Sequence, residues 1–199
     1  MSVCIITKNA EGTLNQCLSV LAPFDDIVIL DSGSTDNTAL IAASFGVRFI
    51  EGDWLGFGNQ KNACIHLAKH DWVFSVDADE VASKTLISAI ASIDLANTRT
   101  TYALMRTNHL LKKKIRFSGW QNDWVTRVFN RKITQFLDLP VHESVIPTGS
   151  MQRLSGELAH YPYLDPSDIS VKTEHYARLA HSKLVATGFK GEAKWVSLL

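Results

Sequence analysis

The residues best suited to chemistry form an acidic run, Asp77-Ala78-Asp79-Glu80, directly after the apolar stretch 72–76. Two carboxylates one residue apart at the tip of a strand can both reach its C-terminal edge, where a hard divalent cation would bridge them to a diphosphate. The spacing alone is weak evidence, because 13 aspartates in this chain produce on the order of one Asp-x-Asp by chance. A competing reading is a solvated turn in which Glu80 begins a helix. Two further loops supply context: Thr7-Lys8-Asn9 follows one apolar run, and Asp31-Ser32-Gly33-Ser34-Thr35-Asp36 follows another. Small, hydroxylated and glycine residues let a backbone approach a ligand closely, and a carboxylate accepts hydrogen bonds from a base or ribose. The second loop also suits a plain capped turn, with Ser34 or Asp36 as the N-cap.

These loops need a scaffold. Short β-branched runs at 3–7, 27–30, 47–50 and 72–76 read as strands. Between the first two, Leu14, Cys17, Leu18 and Leu21 recur at helical spacing. A second helix starts near Asp36 and runs through 40–45, with Gly46 where a left-handed cap belongs, and a third covers 59–70. The alternation predicts an α/β domain, a Rossmann-like mixed and mostly parallel sheet flanked by helices, with every early strand delivering its C-terminal end to one ligand-binding edge. Strands at 101–105 and 125–129 flank a basic tip, Lys112-Lys113-Lys114, that suits a solvated hairpin end or an anionic lipid or phosphorylated saccharide. A further strand is expected at 141–146, and Asp165-Pro166 opens a helix extending toward Gly188. With no internal repeat and no low-complexity linker, residues 1–199 read as one domain sharing one core.

Composition narrows the function. Hydrophobic residues make up 46% of the chain, and 20 basic residues balance 20 acidic ones, so no global field favours nucleic acid and any phosphate binding is local. Cys4, Cys17 and Cys64 form no Cys-x-x-Cys pair, and their odd number argues against a disulfide framework and for a cytoplasmic setting. No run long enough to span a bilayer occurs. The apolar ending, Trp195 to Leu199, suggests a chain cut inside an element.

Taken together, Ser2-Val-Cys-Ile-Ile-Thr-Lys-Asn9, Asp31-Ser-Gly-Ser-Thr-Asp36 and Asp77-Ala-Asp-Glu80, in that order and spacing, resemble the family 2 glycosyltransferases with the GT-A fold. The resemblance implies that residues 1–100 bind a nucleotide-sugar, with Thr7, Lys8, Asn9, Glu11, Asp31 and Gly33 at the nucleotide. It likewise implies Asp77 at the ribose or donor sugar and Asp79 at Mg²⁺ or Mn²⁺. Gly56-Phe-Gly58-Asn-Gln-Lys61-Asn62, Trp120, Thr126-Arg127-Val-Phe-Asn-Arg131, Val141-His142-Glu143 and His160-Tyr161 look like bacterial lipopolysaccharide core β-1,4-glucosyltransferases. That likeness implies a UDP-sugar donor, glucose as the transferred hexose, and a heptose of the inner core as acceptor, with residues 101–199 binding it. Such relatives continue past residue 199 with an apolar and basic stretch, which implies a peripheral contact with the inner face of the bacterial inner membrane.

An inverting transfer needs one base for the acceptor hydroxyl. Glu143 is the candidate, with His142 orienting it or touching the acceptor; the alternative for Glu143 is a surface residue on a β-edge. His160 is a candidate metal ligand or a buried, hydrogen-bonded histidine. Lys61 and Arg127 or Arg131 are candidates to steady the diphosphate, while Trp54, Phe57, Trp120 and Trp124 suit sugar stacking or core packing. Two other functions stay open: a sugar-phosphate nucleotidyltransferase, disfavoured because the first loop is poor in glycine and arginine, and a non-catalytic carbohydrate-binding domain.

Overall fold

The computed structural model describes residues 1–111, 113–116, 123–138, 144–163 and 165–166. The first half alternates as its hydrophobic pattern predicts: β1 (Ser2–Thr7), α1 (Leu14–Ser19), β2 (Asp26–Asp31), α2 (Thr38–Ser44), β3 (Arg48–Glu51), α3 (Phe57–His66) and β4 (Trp72–Asp77). There follow β5 (Glu80–Ala82), α4 (Lys84–Ala91), β6 (Thr101–Leu110), β7 (Lys113–Lys114), β8 (Asp123–Asn130) and β9 (Met151–Tyr163). The strands form one mixed sheet in the order β3-β2-β1-β4-β8-β6-β9-β5, with β7 hairpinned onto β6. Strands β3, β2, β1 and β4 run parallel, β8 is antiparallel to both its neighbours, and β6 pairs β9 in parallel.

Because β1, β2 and β4 are covered on both faces, they read as continuous apolar runs rather than alternating ones. Val3, Ile5, Ile29, Phe74 and Val76 point to one face and meet Leu14, Cys17 and Leu18 of α1 and Leu86, Ile87 and Ile90 of α4. Cys4, Val28, Leu30 and Val73 point to the other face and meet Cys64 and Ile65 of α3, with Phe129 and Phe136. Each large side chain removed from water in this way contributes roughly 1.5–3 kcal/mol. The three cysteines are buried free thiols inside these layers. Gly46, at φ 64°, follows α2 in the left-handed conformation that its position predicts.

The chain builds outward from β1 to β2 and β3, then crosses back to lay β4 on the opposite side of β1. That reversal creates a crevice at the C-terminal ends of β1 and β4, the place where open α/β sheets take ligands. Register fixes who meets there, since Thr7 lies opposite Asp31 and Ile6 opposite Asp77.

Three sequence expectations change. Glu80 starts the strand β5, not a helix. The strand placed at 101–105 continues to Leu110. Met151–Tyr163 was not expected to be a strand at all, because Gly156 and Pro162 interrupt it and only Leu158 along it is fully buried. Of the strand expected at 141–146, residues 141–143 lie outside the described residues, and Val145 forms only an isolated bridge to Phe136. Apart from Asp165 and Pro166, the helix expected after Asp165 also lies outside them. Among the described residues no helix is long and apolar enough to cross a membrane.

A close approach ties α3 to the segment after β8. A Cβ on Gly58 would lie 2.3 Å from the Leu137 carbonyl oxygen. One turn on, the Asn62 amide accepts from Phe136 N–H and donates to Phe136 C=O, both at 2.9 Å. Gly58→Ala forces these backbones apart, so urea unfolding should show a loss of about 1–3 kcal/mol, whereas Ala63→Gly on the same helix should lose about 1 kcal/mol or less.

Candidate functional site

Two loops at the crevice are laced together through their side chains. Asp31, at the end of β2, is 1% exposed and accepts from Thr7 Oγ1 (2.7 Å), Gly33 N (2.9 Å), Ser34 N (2.7 Å) and Ser34 Oγ (2.6 Å). Asn9, at φ 50°, accepts from Thr35 N–H at 2.8 Å, while its own N–H donates to Ser34 Oγ at 2.7 Å. Glu11 accepts from the Asn37 backbone and amide at 3.1 and 2.9 Å, and its N–H donates to Asp36 at 3.0 Å. Thr7, Asn9, Glu11, Asp31 and Gly33, expected at a nucleotide, thus converge on one platform, and Lys8 stands exposed on its rim. Asp31 serves here as the internal staple, so its carboxylate is committed within the platform. Gln60, fully buried on α3, extends the platform by donating to Ser32 Oγ at 3.1 Å and accepting from Leu55 N–H at 3.1 Å.

Beside it lies the acidic run. Asp77 Oδ1 pairs with Lys61 Nζ at 2.7 Å, and its Oδ2 accepts from Arg127 Nη2 at 2.6 Å. The same Nη2 reaches Glu80 Oε1 at 2.7 Å, Arg106 Nη1 approaches that oxygen at 3.6 Å, and Glu80 Oε2 accepts from Asp77 N–H at 3.0 Å. Glu80 is fully buried and is the hub of this network. Lys61 and Arg127, expected at a diphosphate, are 2% and 4% exposed and pair with these acids. Arg131 does not belong to the site: it lies at the other end of β4, donating to the Ile65 and His66 carbonyls at 3.3 Å and approaching Asp71 at 3.6 Å. Its guanidinium caps the C-terminus of α3, a favourable place for a cation.

Burial opposes ionisation of Asp77, but the Arg127 and Lys61 charges outweigh it and hold its carboxyl far below the usual carboxylate range. Burial, reinforced by Glu80, Asp79 and Asp77, pushes the Cys17 thiol up, so it stays protonated and contacts the Asp77 carbonyl at 3.7 Å.

Asp79 is placed differently. Strand β9 lays His160 opposite Glu80, Tyr161 N–H donates to Asp79 C=O at 2.9 Å, and His160 Nε2 lies 3.5 Å from Asp79 Oδ2. A carboxylate oxygen and an imidazole nitrogen so close together fit Mn²⁺ or a similar ion. Among the described residues no group of three or more His, Cys, Asp or Glu side chains is placed to hold a metal. Two donors alone would complete only part of a divalent ion's coordination shell.

Sequence reasoning missed Arg106, which joins Glu80 to the network, and behind it Asp123, which pairs with Arg106 at 2.8 Å and accepts from the Asn108 amide at 3.4 Å. A trace was present, because residues 106–109, Arg-Thr-Asn-His, form a polar run in a strand whose preceding residues 102–105 are largely apolar. His142, Glu143 and Trp120 lie outside the described residues. Of the remaining aromatics, Trp54 is 48% exposed and meets Phe57 edge-on at 4.9 Å, whereas Arg153 covers the Trp124 ring at 4.6 Å. A separate groove of about 280 Å³ between α4, β6 and β9 includes Thr100 and Tyr102, at the opposite end of β6 from Asn108, and shares nothing with this chemistry.

Known proteins resemble this chain in sequence and in fold. The model of Glycosyl transferase family 2 matches residues 2–155. An uncharacterized glycosyltransferase of Rickettsia felis is 28% identical over 96% of this chain and 72% of its own length. The lipopolysaccharide core biosynthesis glycosyltransferase LpsC of Rhizobium meliloti is 28% identical over 94% of this chain and 73% of its own. Among solved structures, S. aureus TarS 1–349 in complex with UDP superposes with a TM-score of 0.58 at 18% identity, covering 84% of this chain and 61% of that one. The glucosyl-3-phosphoglycerate synthase of Mycobacterium tuberculosis with Mn²⁺, UDP and phosphoglyceric acid gives 0.59 at 16% identity, covering 96% and 79%. The fold is that of these enzymes, the GT-A arrangement.

Two outcomes are expected. Asp31→Asn keeps one good acceptor where the carboxylate had two, and should cost about 1.5–3 kcal/mol in chemical denaturation. For Asp77, a folded pKa below the unfolded one means its pairing stabilises the fold at neutral pH, and that contribution disappears as pH falls below about 4. Asp77→Asn should be less stable than wild type at neutral pH and show a flatter acid limb in a stability-versus-pH series.

Proposed function

The chain belongs to glycosyl transferase family 2, and on that premise we propose that it transfers a hexose, glucose, from a UDP-sugar to a saccharide hydroxyl with inversion at the anomeric carbon. The acceptor in this reading is a heptose of the lipopolysaccharide inner core. The observation that carries the proposal is the Asp79–His160 pair, 3.5 Å apart beside the laced loop platform at the C-terminal ends of β1, β2 and β4. The UDP held by TarS and the Mn²⁺ and UDP held by the synthase support a nucleotide diphosphate and a divalent ion at this edge. The name of LpsC supports a core saccharide as acceptor.

Residues 1–100 bind the donor and residues 101–199 the acceptor in this proposal. Thr7, Lys8, Asn9, Glu11 and Gly33 surround the nucleotide, and Asp31 keeps that platform closed. Asp79 and His160 hold Mg²⁺ or Mn²⁺, which when bound neutralises charge on the departing diphosphate. Lys61 and Arg127 hold Asp77 and Glu80 rigid, so that no reorganisation of the cluster accompanies the reaction. Glu143 accepts the acceptor hydroxyl's proton while His142 orients it. The hydroxyl oxygen forms the new bond to the anomeric carbon as the bond from that carbon to the diphosphate breaks, and the electron pair leaves with UDP. A peripheral contact with an anionic membrane surface, through the basic tip after β6, would bring the enzyme to a lipid-linked acceptor.

Release of UDP from UDP-glucose, with core saccharide present, should require Mn²⁺ or Mg²⁺. Asp79→Ala should lower kcat/KM by at least about a hundredfold, the range found on removing one electrostatic stabiliser. Glu143→Gln should abolish transfer while leaving UDP binding within about twofold, since a base acts on the acceptor and not on the donor. Metal-dependent turnover retained in full by Asp79→Ala would refute the metal assignment, and release of pyrophosphate from UTP and a sugar phosphate would point to the nucleotidyltransferase instead.

A further inference from the structure

His160 is one end of a hydrogen-bonded chain that decides which of its ring nitrogens carries the proton. Strand β9 bulges between its pairings with Ala103 and Met105, and after that shift Asn108 falls opposite His160. The Asn108 side chain is buried, 4% exposed for the residue, and its Oδ1 lies 2.7 Å from His160 Nδ1. An amide oxygen only accepts, so Nδ1 must be the protonated nitrogen. The amide's own orientation is fixed from behind, because Asn108 Nδ2 donates to Asp123 Oδ2 at 3.4 Å and a flipped amide would set oxygen against that carboxylate. Arg106 Nε in turn anchors the same Asp123 oxygen at 2.8 Å. In the neutral ring the proton on Nδ1 leaves a lone pair on Nε2, the atom that faces Asp79 Oδ2.

We propose that Asn108, held by Asp123 and Arg106, is a positioning residue that locks His160 in the Nδ1–H tautomer, so that Nε2 is presented with Asp79 as a ready-made pair of donors for a divalent cation. The inference rests on the metal reading given above, yet the lock exists in the metal-free protein and is measurable there. Its purpose is energetic. A histidine free to place its proton on Nε2 would have to change tautomer before it could bind a metal, and partners that fix the tautomer of a ligating histidine typically change metal affinity by 10–100-fold.

The test uses the full chain labelled with ¹⁵N-histidine. A long-range ¹H–¹⁵N spectrum of the metal-free wild type, at a pH where the imidazole is neutral, should show His160 with Nδ1 protonated and Nε2 bare. Asn108→Leu should give a tautomer mixture and weaken Mn²⁺ binding in the presence of UDP, followed by the electron paramagnetic resonance signal of free Mn²⁺, by roughly 10–100-fold. The swap Asn108→Asp with Asp123→Asn keeps an acceptor toward Nδ1, provided that the amide introduced at position 123 turns its nitrogen to position 108 and its oxygen to Arg106. It should restore both the single tautomer and an affinity within about threefold of wild type, well inside that 10–100-fold range. A wild-type ring protonated at Nε2, or an Asn108→Leu protein with unchanged tautomer and unchanged Mn²⁺ affinity, overturns the proposal. If Asn108→Leu does not fold, the wild-type spectrum and the swap decide alone, and a swap that folds but loses the Nδ1–H tautomer counts against the lock. Failure of the metal reading looks different: His160→Ala would leave Mn²⁺ affinity unaltered while the wild-type tautomer remained as stated.

Discussion

Three carboxylates within four residues at the mouth of a sheet repel one another. At about 4 Å and an effective dielectric near 20, one such pair costs roughly 4 kcal/mol. The chain solves this with cations from three separate elements, Lys61 from α3, Arg127 from β8 and Arg106 from β6, gathered on Asp77 and Glu80. Removing one member of a buried ion pair leaves an uncompensated charge, typically worth 3–5 kcal/mol. The two halves of the chain are therefore welded at the crevice: the acids come from the first half of the chain, and two of their three counterions come from the later strands.

Compensation also divides labour among the acids. Asp77 and Glu80 are tied into the frame, while Asp79 turns toward His160 on β9. The laced loops after β1 and β2 show the same economy. Asp31 and Asn9 use their polar atoms to brace backbone against backbone, which shapes a platform of N–H groups and hydroxyls rather than offering loose side chains. A site built this way is rigid before anything binds, the condition under which fixed dipoles act most strongly on developing charge.

The parallel half was legible because β1, β2 and β4 bury continuous apolar runs, and both those runs and the spacing of Leu14, Cys17 and Leu18 announce that burial. Asp79 and His160 were legible as residue types suited to a metal, and their proximity is a fact of β5–β9 register that no local pattern encodes. The later strands were harder. Gly156 interrupts β9, yet it is required there, since a Cβ would lie 2.4 Å from Leu86 N and φ is 98°. Propensity argued against a strand at the position where tertiary packing demands a bulged one. The ion-pair partners of Lys61 and Arg127 were equally hidden, because a cation in sequence looks the same whether it awaits a phosphate or neutralises a neighbour.

In the proposed reaction Asp79 and His160 together face a cation at the edge where the nucleotide diphosphate would bind. Crystals grown with UDP and Mn²⁺, measured at the manganese absorption edge, test it most directly. An anomalous peak is expected within coordinating distance of both Asp79 and His160 and of a diphosphate oxygen. A UDP-bound crystal whose manganese peak lies elsewhere, or touches Asp77 and Glu80 in place of that pair, would contradict it.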